Sequence, residues 1–307
     1  MENAFDVIIL GGGPAGLTAG IYLGRSKAKT LILDTGMPGG QMVLTYKIAN
    51  YPGVENISGY QLSSVMKKQA ISFDCSIKSN VKLIAMRLQG RQKEIELENG
   101  DIFSAPAVIL ATGGRSRMLN VPGENEFKGR GISYCATCDG DFFQEKEIVV
   151  VGGGNSALEE AVALTKYASK VTILHEFDHF QAFEHAVGEA KANPKIDYIM
   201  EAHITEFYGD ESLRGIKYKN LKTGKTDQKA IDGVFIFIGY QANTQALQNE
   251  PVALNQRNEI VTNENLQTNL EGVFAAGDCR AKRYRQITTA VADGTVAALN
   301  ALNFIQK

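Results

Sequence analysis

Two kinds of apolar pattern alternate along this chain: short unbroken runs, and longer stretches in which apolar residues return every three or four positions. Residues 6–34 read DVIILGGGPAGLTAGIYLGRSKAKTLILD, an apolar run, a glycine turn, an amphipathic stretch and a second apolar run. Unbroken runs of this length predict strands buried on both faces, and the stretch between them has the helical period. Residues 147–175 read EIVVVGGGNSALEEAVALTKYASKVTILH and repeat the pattern without a gap, at an offset of 141 and with eight identities. Strand, glycine turn, helix and strand form the first βαβ unit of a dinucleotide-binding fold. The predicted class is α/β, with two Rossmann-like three-layer dinucleotide-binding domains.

The glycines have separate tasks. Gly11 and Gly152 would make the turn, and Gly13 and Gly154 would let the backbone approach a pyrophosphate. Gly16 and its counterpart Ala157 would let the helix lie against the strand. The helix opens at Pro14-Ala15 in the first copy and at Asn155-Ser156 in the second, and free N–H groups at such an end receive an anion. Asp34 ends the second strand of the first copy, where a carboxylate accepts from ribose hydroxyls, so FAD and NAD both fit. Later features favour FAD. Thr112-Gly113 closes another apolar run at 107–111, and Gly277-Asp278 follows a short run near the C-terminus, where a carboxylate would meet a ribityl chain. Arg285-Gln286-Ile287 then opens a helix whose N–H groups could face a flavin pyrimidine edge.

Composition narrows the class further. A chain of 307 residues has length for about two domains of roughly 150 residues. Glycine at 31 with proline at only 7 argues against a collagen-like or disordered chain. The net charge of −2 leaves no global basic footprint, so no nucleic-acid partner is expected. The start, Met-Glu-Asn-Ala-Phe-Asp, lacks the positive region and cleavage site of a secretory signal, and no segment offers ~20 apolar residues free of glycine and charge. No membrane association and a cytoplasmic, reducing location are expected. In that setting a close cysteine pair serves catalysis or metal binding.

Cys135-Ala136-Thr137-Cys138-Asp139-Gly140 is such a pair. Its spacing allows an intramolecular disulfide, and Asp139 is a candidate proton donor and acceptor for thiol chemistry. A zinc half-site is the rival, but no second Cys/His pair is spaced to complete it. Cys75 and Cys279 stand alone and read as structural.

With these motifs in place, the sequence closely resembles the low-molecular-weight thioredoxin reductases, in the right order over essentially its whole length. The matching stretches are GGGPAGLTAGIYLGR, GGQ at 39–41, NYPG at 50–53, ATGG at 111–114, GRGISYCATCDG at 129–140, GGGNSALEEA at 152–161, FIGYQANT at 237–244 and GVFAAGDCRAKRYRQITTAVADG at 272–294. The resemblance implies an FAD-binding domain over residues 1–114, resumed at 246–307, with an inserted NAD(P)H-type domain at 115–245 that carries the cysteines. It adds Gly40, Gln41, Asn50 and Val81 to the FAD contacts. It also implies a homodimer, a thioredoxin-like protein as substrate, and a rotation between domains that presents the cysteines alternately to flavin and partner. On the same ground Cys138 would face the flavin, Cys135 would attack the partner disulfide, and Asp139 would be the acid.

One segment departs from the pattern. Family members that use NADPH carry His-Arg-Arg-x-x-x-Arg after the second βαβ strand, and those arginines clamp the 2′-phosphate by bidentate, charge-assisted contacts. Here the segment is His175-Glu176-Phe177-Asp178-His179-Phe180-Gln181, and no arginine occurs between Arg130 and Arg214. Residues 147–213 contain 12 Asp/Glu and 4 Lys, a balance of −8, which leaves +6 on the remainder. A dianionic 2′-phosphate beside Glu176 and Asp178 would be repelled, so NADPH is not the expected donor.

Three readings of the second site, Gly152, Gly154, Asn155, Ser156, His175, Glu176 and Phe177, stay open. It could take NADH, with Glu176 on the ribose; it could serve a nucleotide-independent enzyme fed by ferredoxin or by a second bound flavin; or it could be degenerate and merely carry the cysteines. Phe177, Phe180 and Phe183 would suit stacking of a flat ring, although their spacing is also that of ordinary helix core. His175, His179 and His185 complete no defined metal site. The expected activity is FAD-dependent disulfide reduction through Cys135–Cys138, with ferredoxin or a second flavin favoured over NADH as donor. A redox-sensing flavoprotein with slow turnover is the alternative of another class.

Overall fold

The structure is a computed structural model in which residues 3–45, 48 and 50–306 are described. The acidic start used in reading the N-terminus falls partly at residues 1–2, outside the described residues. The chain divides into two compact units, Met1–Arg115 with Gln241–Lys307, and Ser116–Tyr240.

In the first unit the strand Val7–Leu10 is central in a five-stranded sheet ordered 273–275, 107–110, 7–10, 30–33, 76–78, with every pair parallel. Parallel neighbours need a crossover, and the helix Pro14–Arg25 supplies the one from 7–10 to 30–33. All residues of VIIL and TLIL are buried because layers pack on both faces. Val7 and Ile9 enter a core with Leu17, Leu23 and the alanine stripe Ala297, Ala298 and Ala301 of the C-terminal helix Ile287–Ile305. Ile8 and Leu10 enter a second core with Leu88, Ile95 and Phe103, which belongs to an antiparallel meander of 83–87, 93–97 and 102–105. Each such fully buried Leu or Ile contributes ~1.5–3 kcal/mol relative to exposure.

The second unit repeats the plan. Its sheet runs 196–199, 170–174, 147–151, 233–236, 132–133, again parallel throughout, with Glu147–Val151 central. The helix Asn155–Leu164 makes the first crossover and Glu184–Ala192 the next. Ile148 and Val150 face one core while Val149 and Val151 face the other, and a meander of 202–209, 213–220 and 226–230 completes the second layer. The α/β class with two Rossmann-like dinucleotide-binding domains therefore holds. No described helix is long and apolar enough to cross a membrane.

Candidate functional site

At the carboxyl ends of the first unit's strands, the glycine turn is built as its spacing requires. Gly11 has φ +106°, and a Cβ there would lie 2.3 Å from the Ala111 carbonyl oxygen. A Cβ on Gly16 would lie 1.9 Å from the Gly11 oxygen, so only glycine lets the helix seat on the turn. Above Gly13 the space is open, with Gly40 Cα at 4.0 Å the nearest atom a Cβ would meet. Asp34 takes the Gly12 N–H on Oδ2 at 2.5 Å and the Gly36 N–H on Oδ1 at 2.7 Å. Each oxygen keeps a further lone pair for a ribose hydroxyl. Gly12 is a participant that sequence spacing did not single out. The Gly39 N–H donates to the Gly12 carbonyl, which brings Gly40 and Gln41 beside the turn, and the Val81 N–H donates to the Asp34 carbonyl.

The other predicted residues of this unit gather at the same strand ends. Thr112 and Gly113 follow the strand Ala107–Leu110, with the Asn243 amide donating to the Thr112 carbonyl at 3.0 Å. Gly277, at φ +77°, would place a Cβ 3.0 Å from Ala15 Cβ, so this turn lies against the start of the first helix. Asp278 follows it, and burial pushes its carboxyl above the ordinary range against the pull of Lys282 and Arg285. Gln286 caps the helix that starts at Ile287 and lies 3.5 Å from the Asn50 amide; Arg285 pairs with buried Glu259. One residue absent from the sequence reading organises this end. Asp293 accepts from the Gly277 N–H at 3.0 Å, from Arg280 through both oxygens at 3.0 Å, and from Lys282 at 2.7 Å. Burial opposes its charge, but the bonds from Arg280 and Lys282 outweigh burial and hold the carboxyl below its usual range. An open cradle at Gly13, a helix start and a carboxylate at Asp34 fit the pyrophosphate and ribose of FAD.

In the second unit Cys135 and Cys138 form a disulfide across the one-turn helix Ala136–Asp139. Ser133, on the strand Ile132–Ser133, reaches Asp139 Oδ2 at 2.6 Å. Burial raises the Asp139 carboxyl; the Ser133 bond opposes this and the Asp141 charge adds to it. A carboxyl raised in this way carries a proton nearer neutral pH than an exposed one does. Cys75 and Cys279 are buried, and burial pushes the Cys75 thiol up to about 12, which keeps it unreactive. No His, Cys, Asp and Glu grouping among the described residues could hold a metal ion.

The second glycine turn keeps the same backbone and changes its partner. Gly152 has φ +132°, with a Cβ placed 2.4 Å from the Phe237 oxygen and 3.1 Å from Ala157 Cβ. His175 takes the place Asp34 holds in the first unit, and its imidazole lies so close to Gly153 that a Cβ there would be 2.4 Å from Nε2. Burial lowers the His175 pKa more than Glu176 raises it, so the ring is held toward its neutral form. Glu176, Phe177 and Ser156 are exposed, while Gly154 and Asn155 are half-buried.

Helix core is the wrong reading of the three phenylalanines. Residues 176–181 are not helical; the helix begins at Glu184 with Phe183 as its N-cap, and Phe177 and Phe183 are 40% and 75% exposed. The cause is tertiary: the Gln181 N–H donates to the Gly153 carbonyl at 2.8 Å and the Phe183 N–H to Asn155 Oδ1 at 2.7 Å, pinning this segment to the glycine turn. Within it His175 stacks on Phe180 at 5.9 Å between centroids and meets Phe177 edge-on at 5.3 Å. Beside it a cavity of about 710 Å³ is lined by the apolar or aromatic Phe180, Val187, Tyr198 and Met200 and by the polar Asp178, His179, Glu184 and Lys191.

Comparison with known proteins bears on these sites together. Residues 5–294 match the model of the pyridine nucleotide-disulphide oxidoreductase family. A thioredoxin reductase of Peptoclostridium acidaminophilum is 42% identical, over 100% of this chain and 98% of its own. A 34.2 kDa protein in a rubredoxin operon of Clostridium pasteurianum is 43% identical, over 99% of this chain and 98% of its own. The crystal structure of thioredoxin reductase from Streptococcus pyogenes superposes with a TM-score of 0.95 at 37% identity, covering 100% of this chain and 99% of that one.

Proposed function

The chain belongs to the pyridine nucleotide-disulphide oxidoreductase family and is a flavin-dependent disulfide reductase of thioredoxin reductase type; we propose that its electrons come from a donor other than NADPH. The observation that carries this reading is the segment 175–181, where Glu176, Phe177 and Gln181 stand in place of the three arginines. A 2′-phosphate there would meet exposed Glu176 and Asp178, and Asp178 is held below the usual carboxylate range, hence ionised, chiefly by its bond from His179.

The second glycine turn nonetheless keeps the form that receives a dinucleotide. Exposed Phe177 and the aromatic-walled cavity of about 710 Å³ offer flat apolar surface of the size small planar groups occupy. A second flavin suits this combination best. Ferredoxin is the second reading, since the chain outside residues 147–213 has a balance of +6 and a relative sits in a rubredoxin operon. NADH with Glu176 on its ribose follows as the third.

FAD in the first unit would be held by Gly13, Gly40, Asp34 and Asp278 and by the start of the helix at Ile287. Bound and reduced by that donor, it would supply two electrons for opening the Cys135–Cys138 disulfide. Asp139 delivers a proton to the departing thiolate, and Cys135 then attacks a disulfide of a thioredoxin-like partner. The residue-1–115 and 241–307 unit is thus assigned to FAD and residues 116–240 to the redox disulfide and the second nucleotide.

Two measurements on purified protein test this. Two flavins per chain are expected, and slow or absent anaerobic bleaching by NADPH. One flavin per chain moves the assignment to ferredoxin or NADH, which anaerobic titration with each separates. Rapid bleaching by NADPH overturns the donor proposal outright.

A further inference from the structure

Ser133 is buried, at 5% exposure, on the short strand that leads into the cysteine turn. Its hydroxyl oxygen lies 2.6 Å from Asp139 Oδ2 and 3.3 Å from the Cys135 carbonyl oxygen, and it accepts the Cys135 N–H at 3.1 Å. A hydroxyl has one proton to donate, and a carboxylate oxygen at the shorter distance takes it in preference to a carbonyl. One side chain therefore ties the backbone of the first cysteine to the carboxylate that follows the second. Ordinary loop geometry does not require this: the turn is already closed by the disulfide and by the Cys138 and Asp139 N–H groups donating to the Cys135 carbonyl.

The geometry points to Ser133 as a positioning residue that ties the Asp139 carboxylate to the backbone of the cysteine turn and stabilises it once it has given up its proton. This rests on the reading of Asp139 as the proton carrier. Opening the Cys135–Cys138 bond takes two electrons, supplied through the flavin, and two protons. Asp139 gives one proton to the departing thiolate and is left as a carboxylate; solvent gives the other. In the return step that carboxylate takes a proton from a cysteine thiol and frees the attacking thiolate. The Cys135–Cys138 bond re-forms as the partner disulfide opens to two thiols; one takes the proton left on Cys138, the other takes one from solvent, and Asp139 is left protonated for the next cycle. In both directions the ionised state of Asp139 appears, and the Ser133 O–H is the donor placed to meet it.

The other groups about Asp139 do not share this task. Asp141, in the 3-10 turn that follows, repels the carboxylate. On the side of the helix Asn155–Leu164, Gly140 packs against Leu164 and Tyr167, which bring no charge.

The test uses flavin-loaded protein reduced anaerobically with dithionite, so that no assumption about the natural donor enters. The infrared band of the protonated Asp139 carboxyl, identified by its loss in Asp139→Asn, is followed against pH. Alongside it runs single-turnover reduction of 5,5′-dithiobis(2-nitrobenzoate). Ser133→Ala is expected to raise the midpoint of the band by about one pH unit, since a hydrogen bond to a charged group is worth ~1.5 kcal/mol. It should slow turnover roughly tenfold at neutral pH without changing the substrate concentration at half-saturation. Ser133→Thr, which keeps the hydroxyl, should restore both. A midpoint that Ser133→Ala leaves in place, while Asp139→Asn still removes the band and slows turnover, overturns the role of Ser133 alone. If Asp139→Asn changes neither, the reading of Asp139 falls, and this inference with it.

Discussion

The two units carry the same backbone device with opposite surroundings. Each has a central parallel strand, a left-handed glycine and a helix seated on it, with Gly16 in one and Ala157 in the other permitting the contact. In the first unit the residue after the second strand is Asp34, whose two oxygens are engaged by Gly12 and Gly36. Its counterpart in the second is a buried histidine pressed on Gly153, followed by an exposed acidic and aromatic segment. The comparison teaches that one backbone turn can be paired with opposite strand ends: a carboxylate holding two backbone N–H groups in one unit, a buried imidazole in the other.

The strongest way to break the comparison is to move the chemistry off the unit assigned to it. Cys135→Ser and Cys138→Ser are each expected to reduce disulfide transfer by ~10³-fold or more while leaving flavin content unchanged, measured by thiol release and by absorbance. Loss of flavin in either variant would undo the division of labour. Asp293→Asn comes next. It removes the partner of half-buried Arg280 and Lys282 and should cost about 3 kcal/mol in denaturant unfolding. The pH dependence has a definite sign: with its folded pKa depressed, Asp293 stabilises above its unfolded value of about 3.9, and the contribution is lost as pH falls through the folded value. The Asn variant should therefore show a flatter acid limb of stability than the parent.

Smaller effects sharpen the contrast at the strand ends. Asp34→Ala removes an acceptor of two backbone N–H groups and should weaken FAD binding on the order of 10–100-fold in equilibrium dialysis. Replacing Glu176, Phe177 and Gln181 together by arginine should lower the NADPH concentration needed for flavin bleaching by roughly 10–100-fold, with little effect for NADH. An equal response to both nucleotides would show that the acidic segment does not set the choice. Gly153→Ala presses a Cβ onto the His175 ring and should destabilise by ~1–3 kcal/mol.

The two glycine turns and the Cys135–Cys138 pair were legible because each lies within a few consecutive residues whose spacing is itself the signal. The alternation that buries VIIL and EIVVV was legible for the same reason. Ser133, Asp293 and the Arg285–Glu259 pair were not. Their partners lie 2 and 6, 11 to 16 and 26 residues away, and no periodicity distinguishes them from other polar positions. The phenylalanines at 177, 180 and 183 show the converse. Their helical spacing was present, but the donors Gln181 and Phe183 bind the glycine turn instead, and the helix starts only afterwards.

By itself the amino-acid order determined the duplicated βαβ start, the positions that only glycine can occupy, the redox cysteines and the loss of the arginine clamp. All of these are local: backbone sterics, side-chain charge and close spacing act over a few residues. Tertiary structure alone decided that His175 would be buried against Gly153, that Asp293 would gather Gly277, Arg280 and Lys282, and that one serine would join Cys135 to Asp139. The physical reason is that a buried polar group takes whichever partner packing brings within about 3 Å, and packing is settled by the whole unit.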